Sequence, residues 1–168
     1  MIKQLEPMVS EFQQEAVTTR RVLQRIPADK LEWQPHPHSM TLGQLGIHIA
    51  TIPANLSRLA QFDEFDLTTA NFTPPQPESM EEILTALDTS IAAAEAYLCG
   101  LTEASAMGNW RATAAGKELF TLPRVAFLRS IMLNHWYHHR GQMSVYLRLL
   151  EVPVPVIYGR SYDESPFD

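Results

Sequence analysis

Cysteine is almost absent from this chain: Cys99 is the only one in 168 residues. An intrachain disulfide is therefore impossible, and a reducing cytoplasm is the expected setting. Long apolar runs are missing as well. No uninterrupted stretch approaches the roughly 18 residues of a membrane-spanning helix, so no membrane partner is expected. The opening residues Met1-Ile2-Lys3-Gln4-Leu5-Glu6-Pro7 put polar and acidic groups where a secretory leader would carry its apolar segment. Positive charge is scarce, with 13 Lys and Arg against 19 Asp and Glu for a net charge of −6. A nucleic-acid surface calls for a basic patch, and short pairs such as Arg20-Arg21 read instead as solvated helix faces. No Gly-x-Ser-x-Gly elbow, Walker loop or glycine-rich dinucleotide turn occurs, which removes the commonest serine-hydrolase and nucleotide-binding readings.

What is present is globular. Hydrophobic residues make up 45% and charged residues 19%, and the length suits a single domain over 1–168 with one sizeable core. Four helical stripes stand out. Leu5, Met8, Val9, Phe12, Ala16, Thr19, Leu23 and Ile26 form the first, stopped by Pro27. Thr41 and Gln44 form a capping box ahead of Leu45, His48, Ile49, Ile52, Leu56 and Leu59. Ser79 and Glu82 open the third, with Met80, Ile83, Leu84, Leu87, Ile91, Ala94, Leu98 and Leu101. The fourth begins near Pro123, and its inward face reads Leu128, Met132, His135, His139, Gln142 or Met143, Tyr146 and Leu149. Pro53 interrupts the second helix and predicts a kink, because it deletes a backbone hydrogen bond and crowds the carbonyl of Ile49. Residues 63–78, with Pro74, Pro75 and Pro77, read as a long crossover, and residues 110–121 as a short hairpin turning near Gly116. The proline-containing tail from Val152 is too apolar to hang free and is expected across the mouth of the bundle.

The chemistry concentrates in Asn134-His135-Trp136-Tyr137-His138-His139-Arg140-Gly141-Gln142. His135 and His139 are one helical turn apart on one face, a spacing at which two imidazoles can converge on one metal ion. An imidazole on an apolar helix face is more often a hydrogen-bonded core residue than a ligand. Here, however, two of them occupy stripe positions that would otherwise be Leu or Ile. Two adjacent buried polar groups cost stability unless each has a partner, and a metal satisfies both. His48, on the second stripe, is a candidate third ligand.

The run His135–Gln142, followed by Tyr146-Leu147-Arg148 and Val152-Pro153-Val154-Pro155-Val156-Ile157-Tyr158-Gly159, resembles the C-terminal signature of the DinB/YfiT-like superfamily. Ser39-Met40-Thr41-Leu42-Gly43-Gln44-Leu45-Gly46-Ile47-His48 resembles the segment carrying that family's first ligand. The resemblance implies an all-α, DinB/YfiT-like four-helix bundle with a long crossover connection and a three-histidine site of His48, His135 and His139. The activities it implies are thiol-dependent transfer or isomerisation, with a low-molecular-weight thiol such as mycothiol or bacillithiol, and metal-dependent hydrolysis of a small-molecule substrate. Three neutral ligands leave a divalent ion an open position, whereas a structural zinc is usually closed by four protein ligands. Imidazole suits zinc and nickel. The alternative is a non-catalytic metal-binding or stress-response interaction module.

No general acid or base is marked out by pattern alone. Gln142, His138 and Tyr158 are the candidates. His138 lies about 100° around the helix from His139, which places it beside the site and not in it. His36 and His38 flank Pro37 in a loop and read as solvent-facing. Arg140 reads as a surface ion pair or an anion-binding group, and Cys99 as a core residue near a helix end. Trp136, Tyr137 and the apolar 154–158 stretch give more apolar surface than one bundle hides, which predicts a homodimer. Light scattering at micromolar concentration should return twice the chain mass; a monomeric mass refutes the expectation.

Overall fold

Every residue of the first stripe is buried, from Leu5 at 1% to Ile26 at 5% exposure, and this one-sided burial holds helix α1 (Glu6–Leu23) against the rest of the chain. The computed structural model describes residues 5–167; the leader reading, where it falls on residues 1–4, lies outside them. Helix α2 (Leu42–Leu59) opens on the expected capping box: Gln44 N–H donates to Thr41 Oγ1 at 3.0 Å, and Thr41 N–H donates to Gln44 Oε1 at 3.1 Å. Strand β1 (Glu64–Asp66) and helix α3 (Met80–Gly100) follow, and Ser79 Oγ caps α3 by accepting from Glu82 N–H at 3.2 Å. A short helix α4 (Glu103–Met107) leads into strands β2 (Asn109–Ala114) and β3 (Lys117–Pro123). The last helical run is continuous: α5 (Arg124–Phe127), a π-helical turn over Leu128–Leu133, and α6 (Asn134–Leu149).

The four long helices close a ring. α2 packs between α3 and α6, and α1 touches both of these from the other side. At Gly46 α2 lies close to its neighbours, since a Cβ there would sit 3.0 Å from both Ile26 Cδ1 and Ile83 Cδ1. Among the described residues no helix is long and apolar enough to cross a membrane.

The all-α expectation fails. A three-stranded sheet is present, with β1 parallel to β2 and β2 antiparallel to β3. The hairpin turns at Ala115 and Gly116, both with positive φ (49° and 78°), the conformation a two-residue turn of matching twist requires. β1 lies inside the crossover between α2 and α3, so this connection is partly sheet. The physical reason for the sheet lies at the end of α2, where the regular ladder stops and Leu59 O keeps a turn bond from Phe62 N–H at 3.2 Å. Trp110 Nε1, on β2, donates to Leu59 O at 3.1 Å. Arg124, the first residue of α5 and directly after β3, donates to Ala60 O (2.5 Å), Phe62 O (3.2 Å) and Ser105 O (2.6 Å), and pairs with Asp63 at 2.7 Å. Tyr97 adds a donor to Ala60 O at 2.6 Å. The sheet is thus the cap of α2.

Other expectations are corrected by burial. Cys99 is near the end of α3 but exposed. Trp136 is 0% exposed and stacks on Phe12 with ring centroids 5.4 Å apart, so it belongs to the core and gives no surface for a second copy. The tail does pack: Val154 is 8% exposed, and Asp163 and Glu164 accept from the amides of Val154 and Val156 at 2.9 and 3.0 Å.

Arg124→Ala takes a donor from Ala60 O, which keeps Tyr97, and from Phe62 O and Ser105 O; a buried carbonyl left without a donor costs on the order of 1–3 kcal/mol. Urea unfolding should show a loss of about 2–4 kcal/mol, and Arg124→Lys should recover only part of it, because one ammonium cannot span three carbonyls. A loss below about 1 kcal/mol would show that water satisfies these carbonyls equally well.

Candidate metal centre

The helix pair α2–α6 brings the three imidazoles together. His48 comes from α2, one turn before Ile52 and Pro53; His135 and His139 come from successive turns of α6. Each offers a ring nitrogen, and these donor atoms all lie within 4.8 Å of one another. His48 Nε2 and His135 Nε2 are 3.1 Å apart. In a tetrahedral site with metal–nitrogen bonds of about 2.0–2.1 Å, two ligand nitrogens would be roughly 3.3 Å apart. The rings stand edge to face, with centroids 4.4 Å apart for His48 and His139 and 4.5 Å for His135 and His139. The donor set therefore fits one small divalent ion.

Electrostatics favour the form a metal needs. Burial, then the neighbouring His139 and His135, lowers the pKa of His48 to about 4. Burial also lowers that of His139 to about 4, against a contrary pull from its hydrogen bond to Gln142. Burial and His138 lower His135. All three imidazoles are neutral at pH 7, as ligands must be. The contact between His139 Nδ1 and Gln142 Oε1 at 2.6 Å matches the tautomer a ligand needs: with the amide oxygen accepting, Nδ1 carries the proton and Nε2 keeps its lone pair.

The π-helical turn explains how α6 presents these residues. Its wider winding at Leu128–Leu133 offsets the inward face that follows. The buried line runs through Leu128, Met132, Leu133, Trp136, Arg140, Met143 and Leu147, with His139 beside it. The expected stripe was therefore mis-centred: Leu149 is 58% exposed and Gln142 is exposed. His135 and His139 sit on the flank of the buried line, facing α2.

The remaining candidates separate cleanly. Gln142 touches the site through His139. His138 is exposed, its ring 4.9 Å from that of His139. Tyr158 is not brought to the imidazoles; its hydroxyl bonds Arg140 Nη2 at 2.6 Å on the α1 side of α6. Arg140 is no surface residue. It is 1% exposed, pairs with Glu15 at 2.5 Å and donates to Thr19 Oγ1 at 3.1 Å, so its charge is met inside the fold. His36 and His38 are exposed in their loop. The sequence pattern missed the role of Trp136 as a partner of α2: its Nε1 donates to Ile49 O at 2.9 Å. Pro53 was the available signal, since it removes the donor that carbonyl would otherwise have.

The model of the DinB family matches residues 1–166. The chain belongs to the DinB family. Solved structures agree in fold. A DinB-like protein from Bacillus cereus is 27% identical, with a TM-score of 0.67 over 89% of this chain and 94% of that one. A DinB-like protein from Bacillus subtilis is 22% identical, with a TM-score of 0.69 over 90% and 96%. A mycothiol-dependent maleylpyruvate isomerase shares the fold at 13% identity and a TM-score of 0.54, over 89% of this chain but 62% of that one. No curated protein matches.

The pKa shifts make the stability of this DinB protein without metal depend on pH. Below about 6.5 the unfolded chain takes up protons that the folded imidazoles refuse until about pH 4. The unfolded state binds more protons across that window, so stability falls as pH drops through it. Urea midpoints of metal-free protein should decline from pH 7 to pH 4.5, and His48→Gln should flatten the slope. Parallel slopes for the two proteins would mean that His48 does not resist protonation.

Proposed function

We propose that this DinB protein binds one divalent ion, zinc or nickel, through His48, His135 and His139, and uses it as a metal-dependent enzyme of the thiol S-transferase or hydrolase class. The observation carrying the reading is the convergence of three neutral imidazoles with donor atoms within 4.8 Å of one another. Three neutral ligands leave the ion its double charge and an open position, so when bound it would lower the pKa of a water to about 7 or favour the thiolate of a small thiol. The protein's own residues supply orientation and access. Gln142 holds His139 as the Nδ1–H tautomer. His138, exposed beside His139, is the group placed to pass a proton between site and solvent. The thiol class draws support from the shared fold of the mycothiol-dependent isomerase, and soluble small molecules are the proposed substrates.

A second reading is favoured by one observation. Tyr158 is bound to Arg140 and is not brought to the imidazoles, and among the described residues the ligand set contains no carboxylate. A metal-binding module without catalysis would need neither.

Cobalt separates the two. Cobalt-loaded protein should change its visible spectrum on addition of a thiol or azide, because an open position accepts an exogenous ligand. An unchanged spectrum would mark a closed site and install the non-catalytic reading. His139→Ala should abolish cobalt uptake while His138→Ala leaves it largely intact; equal loss in both would place the site on the wrong face of α6. Acid should release the metal as the imidazoles protonate.

A further inference from the structure

Pro53 lies inside α2 without ending it. Having no amide hydrogen, it deprives Ile49 O of its intrahelical donor, and a buried carbonyl without a donor is costly. The substitute is Trp136 Nε1, 2.9 Å away and fully buried on α6. One residue on, Ala54 N–H donates to Ser90 Oγ on α3 at 2.9 Å. The proline thus turns two intrahelical groups of α2 into fasteners to its two neighbours. The Trp136 fastener lies beside the imidazoles in both chains of contact: Ile49 follows His48, and Trp136 follows His135.

We propose that Trp136 is a positioning residue for the metal centre, its indole N–H bolting α2 to α6 in the register that brings His48 Nε2 to His135 Nε2. The proposal rests on the metal-site reading. A hydrogen bond is directional and short-ranged, whereas the apolar contacts around it tolerate sliding of one helix along another. Sequence neighbours of the bolted atoms inherit its precision, and a displacement of about 1 Å is enough to spoil a coordination site. Stacking on Phe12 keeps the indole plane fixed against α1.

The test separates positioning from mere stability by rescue. Trp136→Phe keeps an aromatic ring on Phe12 but removes the donor; Pro53→Ala restores an amide that can bond Ile49 O within α2. Trp136→Phe should lower cobalt affinity at least tenfold, alter the visible spectrum and lower the urea midpoint. The double variant Trp136→Phe/Pro53→Ala should regain the midpoint, since the carbonyl again has a donor, but not the affinity or the spectrum. Recovery of affinity together with stability would overturn the proposal, as would unchanged cobalt binding in Trp136→Phe. Nuclear Overhauser contacts between the His48 and His135 rings in metal-free protein read the register directly. They should be present in the wild type and lost in the double variant, and their retention there overturns the bolt. If the wild type takes up no cobalt, the metal-site reading falls and this second measurement alone decides the register.

Discussion

The carbonyls of α2 organise this fold. A helix in the middle of a bundle must leave no buried acceptor without a donor, and α2 has two places where its own ladder fails, at Pro53 and at its last turn. Each is met by a side chain from elsewhere: Trp136 at Ile49 O, Trp110 at Leu59 O, Arg124 and Tyr97 at Ala60 O. The last helix and the sheet are therefore attached to α2 through hydrogen bonds as well as apolar contact. His48 rides on the element to which α3, α6 and the sheet are fastened, a good place for a side chain that must meet partners from a different helix.

Two buried arginines show how the chain spends charge in its interior. Arg124 gives most of its donors to neutral carbonyls, and its carboxylate partner Asp63 is largely solvated, with 92% of its side chain exposed. Arg140 is enclosed. Glu15 faces it at 2.5 Å, and Tyr137 and Tyr158 lie with ring centroids 5.2 and 5.1 Å from its guanidinium carbon. Breaking one side of such an enclosed pair strands the other charge and costs more than the pair itself is worth. Arg140 ties α6 to α1 and the tail, next to His139 in sequence but on the opposite flank of the helix. A cation beside the imidazoles would repel any ion held there, and the helix keeps it turned away.

The four helices and three histidines were legible because they are periodic. Helical spacing marked Leu5 to Ile26 without error, and the Thr41–Gln44 box placed the start of α2. The Gly116 turn was visible too. What periodicity cannot show is an element defined by its partners. β1 has three residues and pairs with β2 some 47 positions later, as Glu64 does with Arg111, so no local pattern announces it, and the all-α reading followed. The π-helical turn had the same effect on α6: one change in winding moved the buried line away from Leu149 to Leu147 while the residue types stayed compatible with either. Cys99 and Arg140 failed for opposite reasons, since composition rates a thiol as buried and a guanidinium as exposed, and tertiary contacts reversed both.

Hydrogen bonding alone does not account for the three imidazoles. His48 and His135 can share one proton between their Nε2 atoms, 3.1 Å apart, and His139 spends its Nδ1 proton on Gln142. His139 Nε2 then has a lone pair and no donor. Among the described residues the sealed side-chain polar atom without a hydrogen bond is Glu15 Oε2, which faces Arg140 instead, so His139 Nε2 is not sealed and keeps access to solvent. A neutral, half-enclosed nitrogen beside two others is a poor core residue, since an aliphatic side chain would pack there at no desolvation cost. It is a good ligand, because metal binding supplies the missing partner and returns as folding free energy the stability that three desolvated imidazoles forfeit. The same unsealed edge is where a substrate would have to approach.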